Sequence, residues 1–321
     1  MLDVFKVTFP FFALVLCGFV AARRRLLPVE AIPGLNGFVL FFALPCMLYR
    51  FGATTPLAQL LDPSVFIVWT LCALVVVGFT IATSLGQRIR WNDASFGALV
   101  AAFPNTGFMG VPLLVALLGA KAAAPVIVSM VVDMFVTTSL CIALSRLDSA
   151  DTHGMAVALK NALRGMLTNP MPWSILLGGL ASYLQFELPG PVNRTVGLLA
   201  DAASPVALFT IGAVLARSQI QMTESGHPPI PLRDYVPVAL IKLVLHPLLV
   251  LLVGAGAIQM GLPLSPFALT VLVLGAALPS ASNVAMLAER FGADNGRIAR
   301  IILVSTAAAF LTFSGAVALL T

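Results

Sequence analysis

Long apolar runs alternate with short polar connections along almost the whole chain. Ten runs stand out, near residues 4–22, 32–50, 64–86, 94–118, 124–146, 171–188, 194–216, 236–258, 265–289 and 298–320. Each approaches the roughly 20 residues a helix needs to cross the hydrocarbon core of a bilayer. The pattern therefore predicts an all-α polytopic membrane protein with ten transmembrane helices. A membrane β-barrel would alternate apolar and polar positions over strands of about ten residues, and these runs are continuous. The longest polar stretches are 147–169 and 217–234. The first predicts an N-terminal five-helix repeat over 1–146, a cytoplasmic linker over 147–170 and a C-terminal five-helix repeat over 171–321.

Two of the runs carry interruptions at matching places in the two halves. Pro104-Asn105-Thr106-Gly107-Phe108-Met109-Gly110-Val111-Pro112 lies within the fourth run, and Leu278-Pro279-Ser280-Ala281-Ser282-Asn283 within the ninth. Proline removes a backbone donor and its ring clashes with the preceding turn, so both helices must break there. Non-helical backbone at membrane depth is tolerated where it lines a cavity or is buried in protein. Paired breaks are thus a sequence pointer to a transporter's binding site. Other positions also correspond between the halves: Gly18 with Gly179, Pro28 with Pro189, and Pro45 with Pro205.

Composition agrees with a lipid-embedded chain. Of 321 residues, 60% are hydrophobic and 10% charged, and 22 prolines and 25 glycines fall largely within or beside apolar runs. The mean hydropathy is +1.02. A soluble domain of this size could not cover its surface with so few polar groups. The net charge of +5 invites a nucleic-acid reading, but the basic residues are dispersed over loops. Thirteen of the 18 Lys and Arg follow odd-numbered runs: Arg23, Arg24, Arg25, Arg88, Arg90, Arg146, Lys160, Arg164, Arg217, Arg233, Arg290, Arg297 and Arg300. The positive-inside bias then places those connections in the cytoplasm and both termini outside. With five spans in each half, the two repeats must be inverted. The first run has no convincing cleavage site after it and reads as a retained span. Cys17, Cys46, Cys72 and Cys141 lack metal-ligand spacing and read as small core residues. His153, His227 and His246 are too scattered for a metal site, and motifs of soluble enzymes are missing.

The Pro104–Pro112 motif with Leu113-Leu114 resembles the fourth span of the auxin efflux carrier family. Leu278-Pro279 and Ala288-Glu289-Arg290-Phe291 are similar to its ninth span, and Lys242-Leu243-Val244-Leu245-His246-Pro247 resembles a run in its bacterial members. The resemblance covers essentially the whole chain. It implies a fold like the bile-acid sodium symporters and NhaA, with helices 4 and 9 crossing at their breaks. Spans 1, 2, 6 and 7 would then form a scaffold, and spans 3–5 and 8–10 would move. It also implies a permease for malonate or another small organic acid in the inner membrane.

The residues at the breaks suit a carboxylate. Each half-helix that starts after a break has unpaired N–H groups and a weakly positive end. Asn105 and either Ser280 or Ser282 are good N-cap types, and Gly107 and Gly110 permit close backbone approach. Pro104, Asn105, Thr106, Gly107, Pro279, Ser280, Ser282 and Asn283 are therefore the expected substrate-binding set. Four further residues are candidates for a proton or coupling-ion role, since ionisable groups within spans are functional candidates by default. Asp133 shares a face with Ser129 and Thr137, with a structural pairing to Lys242 as the alternative. Asp201 lies four residues before Pro205. Lys242 and His246 are one helical turn apart; Lys242 is expected to snorkel to the cytoplasmic interface, and His246 to bond a neighbouring helix or titrate. Arg50 reads as an interface anchor. The expected function is alternating-access transport of a small organic anion, without a cofactor beyond H⁺ or Na⁺ as a coupling ion. A homodimer is compatible with free apolar faces. The rival classes are a channel or facilitator and an intramembrane enzyme built on Asp133 and Asp201.

Overall fold

Every apolar run becomes helical, and most departures from regular helix follow the prolines. In the computed structural model, residues 2–60, 62–147, 170–224 and 230–321 are described. Lys160, Arg164, His153, His227 and most of the expected linker lie outside them. The helical elements are α1 (Leu2–Arg23), α2 (Val29–Thr54), α3 (Pro63–Ser84), α4 (Trp91–Ala102), α5 (Thr106–Leu118) and α6 (Ala120–Leu144). They continue with α7 (Pro170–Leu184), α8 (Gly190–Glu224), α9 (Val236–Gln259), α10 (Pro266–Ala276), α11 (Asn283–Arg290) and α12 (Asn295–Leu320). Among the described residues, seven helices are long and apolar enough to cross a membrane. The fourth and ninth expected spans are each split in two. The described part of the sixth, α7, has 15 residues, about 22 Å, short of a core of about 30 Å.

Four π turns widen these helices, at Val39–Ala43 in α2, Thr106–Gly110 in α5, Asp133–Thr137 in α6 and Ile241–Leu245 in α9. Three of them end two residues before a proline: Pro45, Pro112 and Pro247. The missing N–H and the ring's clash with the carbonyl four residues back explain the widened turn. The Asp133 turn has no such proline. There the Thr138 hydroxyl donates to the Asp133 carbonyl at 2.8 Å, a side chain reaching back five residues.

The chain divides into two compact units, each assembled from both halves of the sequence. The first comprises Met1–Asp62, Gly107–Ile127 and Leu167–His227, hence α1, α2, most of α5, α7 and α8. Its helices pack through small residues. A Cβ on Gly18 would lie 1.8 Å from the Phe209 carbonyl oxygen, and one on Gly212 would lie 1.8 Å from that of Val15. Gly178 meets the Tyr49 carbonyl in the same way, at 2.4 Å. Backbones can approach this closely only where no side chain intervenes. Outward-facing leucines such as Leu16 and Leu177 are exposed, as expected where the solvent is lipid.

The second unit comprises Pro63–Thr106, Val128–Met166 and Pro228–Thr321. Its core includes Trp69, Val250, Leu272 and Ala276. In α4, every residue from Ala94 to Ala102 is buried, and small side chains there let other helices close around it. Arg297, expected among the loop cations, is instead buried. Its Nη1 donates to the Asp93 carbonyl at 2.8 Å and its Nε to the Asp234 carbonyl at 2.6 Å. Asp294 caps α12 by accepting from the Arg297 N–H at 2.9 Å, and Asp93 lies in the first turn of α4. Carboxylates at helix N-termini offset the positive dipole ends, which draws this arginine inward.

Replacing Gly212 with Val should force α1 and α8 apart. The expected loss is about 1–3 kcal/mol, as for other overpacked sites, read as a lower unfolding temperature of the purified protein, whereas Gly197→Ala, with open space around its Cβ position, should leave that temperature almost unchanged.

Candidate functional site

In the second unit the two interruptions lie side by side. α4 ends at Ala102, and Phe103 turns extended with φ −97° and ψ 100°. α10 ends at Ala276. The Asn105 N–H donates to the Pro279 carbonyl at 2.8 Å, and the Ala281 N–H donates to the Phe103 carbonyl at 3.0 Å. These two bonds flank an antiparallel bridge between Pro104 and Ser280. The prolines contribute no N–H, so each break offers its neighbours' donors and receives carbonyls in return. The Ser280 N–H finds the Ser305 hydroxyl at 3.2 Å. The Thr106 N–H turns back to the Pro104 carbonyl at 2.8 Å.

Of the expected substrate-binding residues, Pro104, Asn105, Thr106, Pro279 and Ser280 are buried, and Ser282 and Asn283 are half-buried. Gly107 belongs to the first unit. The hydroxyls of Thr106 and Ser280 and the side-chain carbonyl of Asn283 have no hydrogen-bond partner. Buried polar atoms are rarely left so, and hydroxyl donors at a bend can receive a carboxylate oxygen. One expectation is corrected. Ser282 occupies the N-cap position of α11, yet its hydroxyl makes no capping bond; its backbone is helical there, φ −68° and ψ −26°, and not extended as a capping serine requires.

The coupling candidates separate into two settings. In the second unit, Asp133 Oδ1 accepts from Trp69 Nε1 at 3.0 Å and from the Thr137 hydroxyl at 3.1 Å, and its Oδ2 has no partner. Lys242 does not snorkel. It is fully buried, and its Nζ donates to the Ala276 carbonyl at 2.5 Å, at the end of α10. An unpaired carbonyl at a helix C-terminus attracts a cation more strongly than the distant interface does. His246 Nδ1 lies 3.3 Å from Lys242 Nζ, and its ring packs tilted on Trp69 with centroids 5.4 Å apart. Asp133 and Lys242 attract each other electrostatically without a direct bond. In the first unit, Asp201 instead pairs with Arg50 at 2.7 Å, with 69% of its side chain exposed. Asp133 and Asp201 thus each have partners within their own unit.

Sequence reasoning did not single out Trp69, Ser305 or the Ala276 carbonyl. Trp69 sits in a uniformly apolar run, and nothing local marks it as a donor to an acid 64 positions away. The four cysteines are free, with Cys72 and Cys141 buried. Among the described residues no group of acidic, His and Cys side chains is placed to hold a metal.

These elements define a multi-pass helical membrane protein whose second unit is organised around two interrupted helices. A family model described as Membrane transport protein matches residues 3–317, and the chain belongs to that family of transporters, which includes the auxin efflux carriers. It is 30% identical over 318 residues to a Rhizobium meliloti (strain 1021) protein named "Putative malonate transporter", covering 98% of this chain and 95% of that one. A protein of Escherichia coli (strain K12) named "Uncharacterized transporter YfdV" is 26% identical over 288 residues, covering 88% and 86%. "Auxin efflux carrier component 8" of Arabidopsis thaliana is 24% identical over 307 residues, covering 78% and 81%.

Lys242→Met should leave Asp133 without its attracting cation and the Ala276 carbonyl without its donor. Breaking one side of a buried charge pair costs roughly 3–5 kcal/mol. The double variant Asp133→Asn, Lys242→Met should be less destabilised than the sum of the single variants, a coupling that thermal unfolding of the four proteins would measure.

Proposed function

We infer that this protein is a secondary transporter that moves a small organic anion, a malonate-like carboxylate, across the inner membrane by alternating access. The reading rests on one observation above the rest. Where two broken helices bond backbone to backbone, Thr106 and Ser280 present buried hydroxyls that no protein group satisfies. Hydroxyls and side-chain amides bind a carboxylate without the desolvation cost of a buried lysine. Asn105 lies within the crossing peptide, so its side-chain amide is the further donor assigned to the substrate.

The relative named for malonate supports the carboxylate class and its size. Two compact units, each with its own core, supply the two bodies that an alternating-access cycle uses. In this reading the fourth and ninth spans cross at their breaks within an inverted ten-span repeat, and the termini face the periplasm. The working part is read as a transport site because the family is one of transporters.

The test is counterflow in proteoliposomes. Vesicles preloaded with unlabelled malonate should accumulate labelled malonate transiently, and excess succinate or acetate should compete according to fit. Asn105→Ala should reduce this exchange at least tenfold while the unfolding temperature stays close to that of the parent protein. Undiminished exchange by the variant removes Asn105 from the site, and flux that never saturates points to a pore.

A further inference from the structure

A second buried polar cluster in the same unit takes no part in binding the carboxylate. Trp69 comes from α3, Asp133 and Thr137 from α6, Lys242 and His246 from α9, and the Ala276 carbonyl from α10. Asp133, Lys242 and His246 are each 0% exposed. Both donors to Asp133 converge on Oδ1, and Oδ2 is left open. Asp133 also opens a π turn that, alone among those of the described residues, no proline explains, and π turns often mark functional positions.

An ion pair kept only for stability would spend its hydrogen bonds on its partner. Here the acid and the lysine attract one another yet bond elsewhere. Lys242 is fastened to the last carbonyl of α10, three residues before Pro279. A change of charge at Asp133 therefore acts on a lysine that holds the helix leading into the crossing. Lys242 from α9 and Cys141 from its own helix interact electrostatically with Asp133, His246 stands 3.3 Å from Lys242, and Cys72 lies one turn from Trp69 on α3. On α4, the backbone of Ala101, one residue before that helix ends, interacts with His246.

We propose that Asp133 Oδ2 is a proton-binding site that couples this carrier to H⁺, with Lys242 linking it to the crossing, so that the organic anion and a proton travel together. This rests on the carboxylate reading of the crossing. On the loading side a proton from water forms an O–H bond at Oδ2; on the releasing side that bond breaks and the proton returns to water. In this proposal Lys242 stays the cation of the cluster, its ammonium held by the Ala276 carbonyl at the negative end of α10. With Asp133 ionised, it and Lys242 sum to zero charge; with Asp133 protonated, the cluster is positive and favours an anion at the crossing. Linkage then requires the anion to favour the proton equally, which is the sign of symport. Full burial of the cluster means that water reaches it only after a conformational change, as coupling demands.

The experiment uses the full chain in proteoliposomes with labelled malonate and a clamped membrane potential. An acid-outside gradient between about pH 7 and pH 8, where a dicarboxylate keeps both charges, should drive accumulation approaching tenfold for one proton per anion. A Na⁺ gradient of equal size should drive none. Asp133→Asn should abolish the proton-driven accumulation. Trp69→Phe, a milder change that removes one donor to Oδ1, should keep the accumulation but displace the pH of half-maximal uptake. Counterflow that proceeds normally in the parent protein but ignores the proton gradient overturns the coupling alone, as does gradient-driven accumulation that survives in Asp133→Asn. A parent protein that exchanges no carboxylate at all overturns the carboxylate reading, and the coupling with it.

Discussion

Peptide groups that a helix cannot satisfy are the constraint on which this structure turns. In lipid an unpaired N–H or carbonyl costs several kcal/mol, and two proline-broken helices create several of them. The second unit resolves this by setting one break against the other: Asn105 bonds to Pro279, Ala281 bonds to Phe103, and Ser305 takes the remaining Ser280 amide. Neither break can be moved without exposing the other. The small residues of α4 and the burial of α10 from Val271 to Ala276 follow, because the two extended segments meet only if their helices pack closely.

Charge is distributed by the same logic. Lys242 lies at the carboxyl end of α10, where the helix dipole is negative. Arg297 gathers the carbonyls of Asp93 and Asp234, near the amino ends of α4 and α9, and Asp93 and Asp294 supply compensating charge. Asp201 and Arg50 pair where their side chains are substantially exposed, and there the pair contributes little to stability. Burial thus separates charges that organise the unit from charges that decorate its surface.

Much of the fold was legible because its signals are local. Apolar runs about twenty residues long predict helices, and prolines inside them predict breaks at Pro104 and Pro279. The widened turns ahead of Pro45, Pro112 and Pro247 obey the same local rule. The pairing of Lys242 with His246 was visible as a one-turn spacing. Snorkelling by Lys242 was the wrong expectation, since its distance from the end of the run gave no hint of a carbonyl waiting on another helix. Arg297 misled for the same reason: beside a loop, it counts as a topology charge until two other segments are seen to close on it.

The amino-acid order by itself determined that this chain enters a membrane, where its helices lie and where two of them fail, because hydropathy and proline act within a turn or two. Only the tertiary structure decided which atoms those failures satisfy, and that Trp69 and Thr137 crowd one oxygen of Asp133 and leave the other open. Those outcomes depend on side chains and carbonyls far apart in the chain, and their meeting is set by helix packing, which no local pattern encodes.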